Sequence, residues 1–174
     1  GLLFDRQGRL LACEGNEFSP NDGNRRITRT DMSTGKVEVL TERFEGKRYN
    51  SPNDIAARSN GQIFFTDPCY GDRTTMQMTH ESVYRINQNG SVDRIITQPT
   101  IQRPNGIALS PDERTLYVAD SFSEYLFAFD LQADGSATNR NDVLDVLMSA
   151  STRAHAGSRH RDALLVQHPA SAVA

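Results

Sequence analysis

Ser51-Pro52-Asn53-Asp54-Ile55-Ala56-Ala57-Arg58-Ser59-Asn60-Gly61-Gln62-Ile63-Phe64-Phe65-Thr66-Asp67 and Arg103-Pro104-Asn105-Gly106-Ile107-Ala108-Leu109-Ser110-Pro111-Asp112-Glu113-Arg114-Thr115-Leu116-Tyr117-Val118-Ala119-Asp120 are two versions of one pattern. A Pro-Asn pair opens a short apolar strand. A polar turn follows, then a second strand that ends on an acidic residue. The opening stretch, Gly1-Leu2-Leu3-Phe4-Asp5-Arg6-Gln7-Gly8-Arg9-Leu10-Leu11-Ala12-Cys13-Glu14, fits the same frame without the Pro-Asn pair. Glu14, Asp67 and Asp120 recur at 53-residue intervals, and Asn53 and Asn105 lie 52 apart. Repeats of this length point to stacked or radial architectures.

Working outward, two more strands close each unit. They are expected at Arg26–Thr30 and Val37–Leu40, at Val83–Ile86 and Val92–Ile96, and at Tyr125–Phe129 and Val143–Val146. The turns between them carry Gly or Asn where a hairpin needs a positive φ. The second strands, Leu10–Cys13, Ile63–Thr66 and Leu116–Ala119, are largely apolar on both faces, as buried strands are. The runs are too short, and too rich in β-branched and aromatic residues, for helices. Four antiparallel strands per repeat make a β-propeller blade, so the fold is expected to be all-β with about three blades over residues 1–148. Rings close with roughly four or more blades. The expectation is therefore that the chain is part of a larger propeller, and its start on Gly1 rather than Met agrees.

Residues 149–174 form a different segment. Up to Met148 there are 16 basic and 21 acidic residues; beyond it there are three Arg, one Asp and three of the four His, namely His155, His160 and His168. A disordered tail, an out-of-frame stretch and a weak metal-binding segment all remain open for it.

The whole chain of 174 residues has a net charge of −3 and is 37% hydrophobic. That balance argues against a general electrostatic nucleic-acid binder. No apolar run reaches the ~18 residues of a membrane span. Two cysteines, Cys13 and Cys69, make neither a disulfide framework nor a metal cluster, so the compartment stays open between cytoplasmic and periplasmic or secreted.

Asn53 and Asn105 start the inner strands of successive blades, each aimed by a preceding proline. Two amide oxygens converging there suit a hard cation such as Ca²⁺. The alternative is that Pro-Asn-Asp and Pro-Asn-Gly are ordinary turns. Asp67 and Asp120 have an alternative of the same kind, as turn caps that bond backbone amides. Tyr70 lines a pocket or packs a loop. His80 has no evident Ser or Asp partner for a nucleophilic triad.

Three motifs together, Ser51-Pro52-Asn53-Asp54-Ile55, Phe65-Thr66-Asp67-Pro68-Cys69-Tyr70-Gly71 and Arg103-Pro104-Asn105-Gly106-Ile107-Ala108, resemble the SMP-30/gluconolactonase/LRE-like family over about residues 1–148. The resemblance implies a six-bladed propeller with a divalent cation, usually Ca²⁺, at the channel mouth. It also implies hydrolysis of a lactone, typically an aldonolactone. On this basis Asn105 is a direct metal ligand. Asn53 is a metal ligand or a substrate ligand beside the metal. Asp67 and Tyr70 fall near the substrate. Some members place an arginine two residues before the first Asn; Ser51 stands there here. The family's metal-binding Glu belongs to a blade before Gly1, and its role does not pass to Glu14. The family's acid/base Asp belongs to a Pro-Asp-Gly motif expected near residue 150, which this sequence lacks. No catalytic residue is therefore assigned. A non-catalytic binding module and an esterase on a related six-bladed scaffold stand as alternatives.

Overall fold

The computed structural model describes residues 1–16, 23–123 and 125–145. They build three four-stranded antiparallel sheets in chain order. The first blade holds β1 (Leu2–Phe4), β2 (Leu10–Glu14), β3 (Arg26–Thr30) and β4 (Val37–Thr41). A two-stranded ribbon, β5 (Arg43–Phe44) with β6 (Lys47–Arg48), follows it. The second blade holds β7 (Ile55–Ala57), β8 (Ile63–Asp67), β9 (Ser82–Ile86) and β10 (Val92–Thr97), and the third β11 (Pro104–Leu109), β12 (Thr115–Asp120), β13 (Tyr125–Leu131) and β14 (Ala137–Asp145). Among the described residues the only helical element is a 3-10 turn at Arg73–Thr75. The expected propeller architecture of about three blades is what the chain adopts. The segment 149–174 lies outside the described residues.

The inner strand β7 meets β1 on one side and β11 on the other, which stacks the blades face to face in sequence order. Two apolar layers fill the gaps. Between the first and second blades lie Leu11, Ile27, Tyr49, Ile55, Ile63, Phe65, Tyr84 and Ile86. Between the second and third lie Ala56, Phe64, Val83, Ile107, Leu116, Val118, Phe127 and Phe129. Side chains alternate across a strand, so β8 sends Ile63 and Phe65 one way and Phe64 the other. That two-sided burial is why its sequence carries no polar alternation. Tyr49 reaches in from beyond the ribbon and meets the Phe65 and Tyr84 rings at 5.1 and 5.2 Å.

Two features depart from the sequence expectation. The last strand begins at Ala137, six residues before Val143. Residues 138–142 are exposed, so this outer strand needs no apolar face, and its register with β13 shifts twice. The β5–β6 ribbon was not expected either. Its turn is Glu45-Gly46, with φ of 51° and 79°. Positive φ at both central residues matches the twist of a tight hairpin, but a non-glycine first residue hides the signal.

Candidate functional site

Asp67 and Asp120 end the second strands of neighbouring blades and do the same work. Asp67 accepts the backbone N–H of Asn50 and of Ser51 at 2.9 and 2.8 Å. Asp120 accepts those of Gln102 and Arg103 at 2.9 and 2.8 Å. Each carboxylate thus holds the two residues before the Pro-Asn pair and fixes where the inner strand starts. This is the geometry of the turn cap, extended across a blade. Asp67 was expected near the substrate; it is fully buried beneath the strand start, with both oxygens taken. Burial pushes its pKa up to about 7, against the pull of the Asn50 and Ser51 amides and the Arg25 charge, while the Glu81 charge adds to the rise.

Asn53 and Asn105 sit above these clamps, both half-buried. Their backbones are tied both within the blade and to neighbouring blades. The Asn53 N–H donates to the Thr66 carbonyl at 2.9 Å, and the Asn53 carbonyl accepts from the Gly1 amino group. The Asn105 carbonyl accepts the Thr66 hydroxyl at 2.6 Å. Asp54 crosses from the second blade to the third, its carboxylate accepting the Ile107 N–H at 3.0 Å. The loop of the first blade closes on the same corner: a Cβ on Gly15 would come within 2.8 Å of the Pro52 carbonyl oxygen. Nothing in the sequence marks Gly15 for this.

The two side-chain amides differ. That of Asn53 makes no hydrogen bond among the described residues. That of Asn105 donates from Nδ2 to the Tyr70 hydroxyl at 2.7 Å, leaving Oδ1 without a partner among the described residues. Tyr70 is also bonded to the Ser121 hydroxyl, which donates to the Arg103 carbonyl at 3.2 Å. The Arg103 guanidinium lies 5.6 Å from the Tyr70 ring centre and 5.9 Å from that of Phe122. These two exposed rings flank it beside Asn105.

Beneath them is a residue that sequence reasoning passed over. Glu81 is almost fully buried. It pairs with Arg73 Nη1 at 2.6 Å and Arg103 Nε at 3.4 Å, and accepts the Cys69 N–H at 2.8 Å. It thereby anchors both ends of the loop that carries Tyr70. In the sequence it reads as one more polar residue after His80, whose Nδ1 lies 2.8 Å from Gln98 Oε1. Glu14 is engaged away from the strand starts: it accepts from Asn24, Arg26 and Thr28. Burial pushes its pKa up, but those bonds and the Arg26 charge outweigh it and hold the carboxyl below its ordinary value.

The donor chemistry fits part of a hard-cation site. Asn53 and Asn105 each present a carboxamide oxygen that no group among the described residues occupies. Among the described residues no three His, Cys, Asp or Glu side chains come together as a metal cluster, and the two asparagines are neutral donors. A cavity of about 200 Å³ lies elsewhere, at the hairpin end of the first two blades, lined by Arg6, Arg9, Arg58 and Asn60 among others.

Blades of this topology, with inner strands opening on paired asparagines, define a β-propeller with polar groups gathered at one end of its inner strands. The chain belongs to the SMP-30/gluconolactonase/LRE-like family, whose model matches residues 1–158. It is 34% identical over 140 residues to a gluconolactonase of Zymomonas mobilis, covering 76% of this chain and 39% of that protein. It is 28% identical over 167 residues to the lactonase drp35 of Staphylococcus saprophyticus, covering 78% of this chain and 52% of that one. Among solved structures, a gluconolactonase from Xanthomonas campestris superposes with a TM-score of 0.67 at 37% identity, over 82% of this chain and 47% of that one. The chain thus spans about half the length, or less, of these relatives. Among the described residues no helix is long and apolar enough to cross a membrane.

Proposed function

We propose that the protein to which these blades belong is a Ca²⁺-dependent lactonase that opens a sugar or related lactone to its hydroxy acid. The observation that carries this is the pair of Pro-Asn strand starts on adjacent blades. Each is clamped by a buried aspartate, and each offers an amide oxygen that no group among the described residues occupies. The similarity to gluconolactonases and lactonases supports the reaction class. Asn105 would hold the cation directly, and Asn53 would hold the cation or the substrate beside it. A bound divalent cation polarises a carbonyl oxygen and stabilises the charge that develops there.

This chain's own residues orient and support. The Asp67 and Asp120 clamps keep the two asparagines in register. Tyr70, Phe122 and Arg103 form an exposed aromatic and cationic surface beside Asn105, suited to a polar ring. Ca²⁺ takes six to eight oxygens, so two neutral amides bind it weakly by themselves. The proton-transfer group is not among the described residues.

Hydrolysis of an aldonolactone, followed with Ca²⁺ and after chelation, tests the proposal. The protein is expected to turn over the lactone only with the cation, and Asn105→Ala to abolish the cation's effect. The 174-residue chain alone is expected to show little turnover. Fast hydrolysis in the presence of a chelator would overturn the cation's role. Turnover of aryl esters but not lactones would favour the esterase alternative. No turnover, together with no Ca²⁺-induced rise in Tm, would favour a binding module.

A further inference from the structure

Four groups line up from Asn105 into the backbone. Asn105 Nδ2 is 2.7 Å from the Tyr70 hydroxyl, the Tyr70 hydroxyl is bonded to Ser121 Oγ, and Ser121 Oγ is 3.2 Å from the Arg103 carbonyl oxygen. The two hydroxyls can each donate or accept, so by themselves they leave the direction of the chain undecided. The last group decides it. A backbone carbonyl only accepts, so Ser121 spends its one proton there. Ser121 Oγ then accepts from Tyr70, and Tyr70, its proton spent, accepts from Asn105. Asn105 must therefore present its NH₂ to Tyr70, which turns Oδ1 away with no donor on it among the described residues.

We infer that Tyr70 and Ser121 are positioning residues for Asn105: they fix the direction in which its amide faces and so keep Oδ1 available to a hard divalent cation. The reach to the cation rests on the function proposed above; the polarity of the chain does not. The chain is braced at its middle and its end. The Arg103 guanidinium lies against the Tyr70 ring and pairs with the buried Glu81, which also holds the Cys69 N–H next to Tyr70. The Ser121 N–H donates to the same Arg103 carbonyl at 3.0 Å, so Ser121 keeps its place when its hydroxyl is removed.

Removing the Ser121 hydroxyl frees the Tyr70 proton. Tyr70 then donates to Asn105 Oδ1, the amide turns over, and the oxygen meant for the cation is consumed. Ser121→Ala thus disables Asn105 without touching it, whereas Ser121→Thr keeps the hydroxyl and the direction.

Two readouts on the full chain separate the two parts of the inference. The first is the ¹⁵N side-chain amide signal of Asn105, recorded without metal. It is expected to shift in Tyr70→Phe and in Ser121→Ala and to stay in place in Ser121→Thr. The second is Tb³⁺ luminescence, Tb³⁺ being a hard-cation probe that tyrosine sensitises in this tryptophan-free chain. Ser121→Ala is expected to weaken Tb³⁺ binding by roughly 10–100-fold, the usual cost of losing a partner that orients a ligand, with Ser121→Thr restoring it. An Asn105 signal unmoved by both Tyr70→Phe and Ser121→Ala overturns the chain, whatever the cation does. A signal that moves as expected, in a protein whose Tb³⁺ response is the same in Asn105→Ala, supports the chain and overturns the cation reading instead.

Discussion

The second and third blades share one pattern but differ in their neighbours, and their second strands show it. All five residues of β8 are buried, whereas in β12 the buried residues alternate with half-buried ones. Phe64 and Tyr117 occupy the same place in the repeat. Phe64 is fully buried against the third blade; Tyr117 points to the opposite side of β12 from Leu116 and Val118 and is only half-buried. A repeat position therefore does not have a fixed energetic weight. It takes its weight from the blade packed against it.

Replacing these two aromatic residues gives the largest expected contrast. Phe64→Ala removes a side chain from a filled layer and is expected to cost about 3–5 kcal/mol, the range for buried aromatic truncations. Tyr117→Ala is expected to cost about 1 kcal/mol or less, as for substitutions away from a packed core. Urea unfolding of the two variants measures both. Equal losses would mean that both faces of β12 are packed in solution.

The clamps give the next contrast. Asn in place of Asp67 has one oxygen and one NH₂, so it accepts from Asn50 or Ser51 but not both. The N–H left facing the amide is buried, which costs about 1–3 kcal/mol. Asp120 accepts a third N–H, from Phe122, on the oxygen that Arg103 uses. In Asp120→Asn one oxygen can keep two of the three bonds, and the N–H left over, that of Gln102, is only partly buried, so the expected loss is smaller than in Asp67→Asn. A thermal melt of both variants checks the order.

The Asp67 clamp also responds to pH. Its folded pKa of about 7 lies above the ordinary 3.8, chiefly through burial. Between these values the folded chain holds more protons than the unfolded one, so this group's contribution to stability falls as pH rises and is lost above about 7. Asp67→Asn has no such group. The stability gap between wild type and Asp67→Asn is expected to be widest below about pH 4 and to narrow from there towards pH 8. A gap that widens instead would show that the two backbone amides outweigh burial and hold the carboxyl ionised.

The strands of the blades were legible because short apolar runs and Gly turns are local signals. Arg26–Thr30 came directly from the residues, and the other expected strands before β14 fell within one or two residues of their ends. The start of β14 was not, since an exposed outer strand imposes no pattern on Ala137–Asn141. The placement of Asn53 and Asn105 followed from the repeat. What joins them to the rest did not, because Tyr70 and Asn105 are 35 residues apart and nothing periodic links them. Glu81 was equally silent: a carboxylate buried between two arginines looks, in one dimension, like any surface acid.

The smallest contrast lies at the first hairpin of each blade. The turn in the second blade uses Gly61 at a φ of 89°, while the third uses Glu113 at 58°. A side chain in this region costs roughly 1–2 kcal/mol, so the glutamate needs a reason. Its carboxylate accepts the Ser59 N–H at 2.8 Å and the Ser59 hydroxyl at 2.6 Å, and its carbonyl accepts from Arg58. The strained residue is the one that ties its own turn to the neighbouring blade. Gly61→Ala meets only the Gln88 side chain at 3.8 Å, so its expected loss of about 1–2 kcal/mol is purely conformational. Glu113→Gly relieves a similar strain but forfeits two half-exposed hydrogen bonds worth about 0.5–1.5 kcal/mol each. The two effects nearly cancel, and the net change is expected to stay within about 1 kcal/mol of zero. Unfolding midpoints of the two variants decide it: a clear gain in Glu113→Gly would mean that the tie to Ser59 contributes nothing, and that the glutamate is merely tolerated.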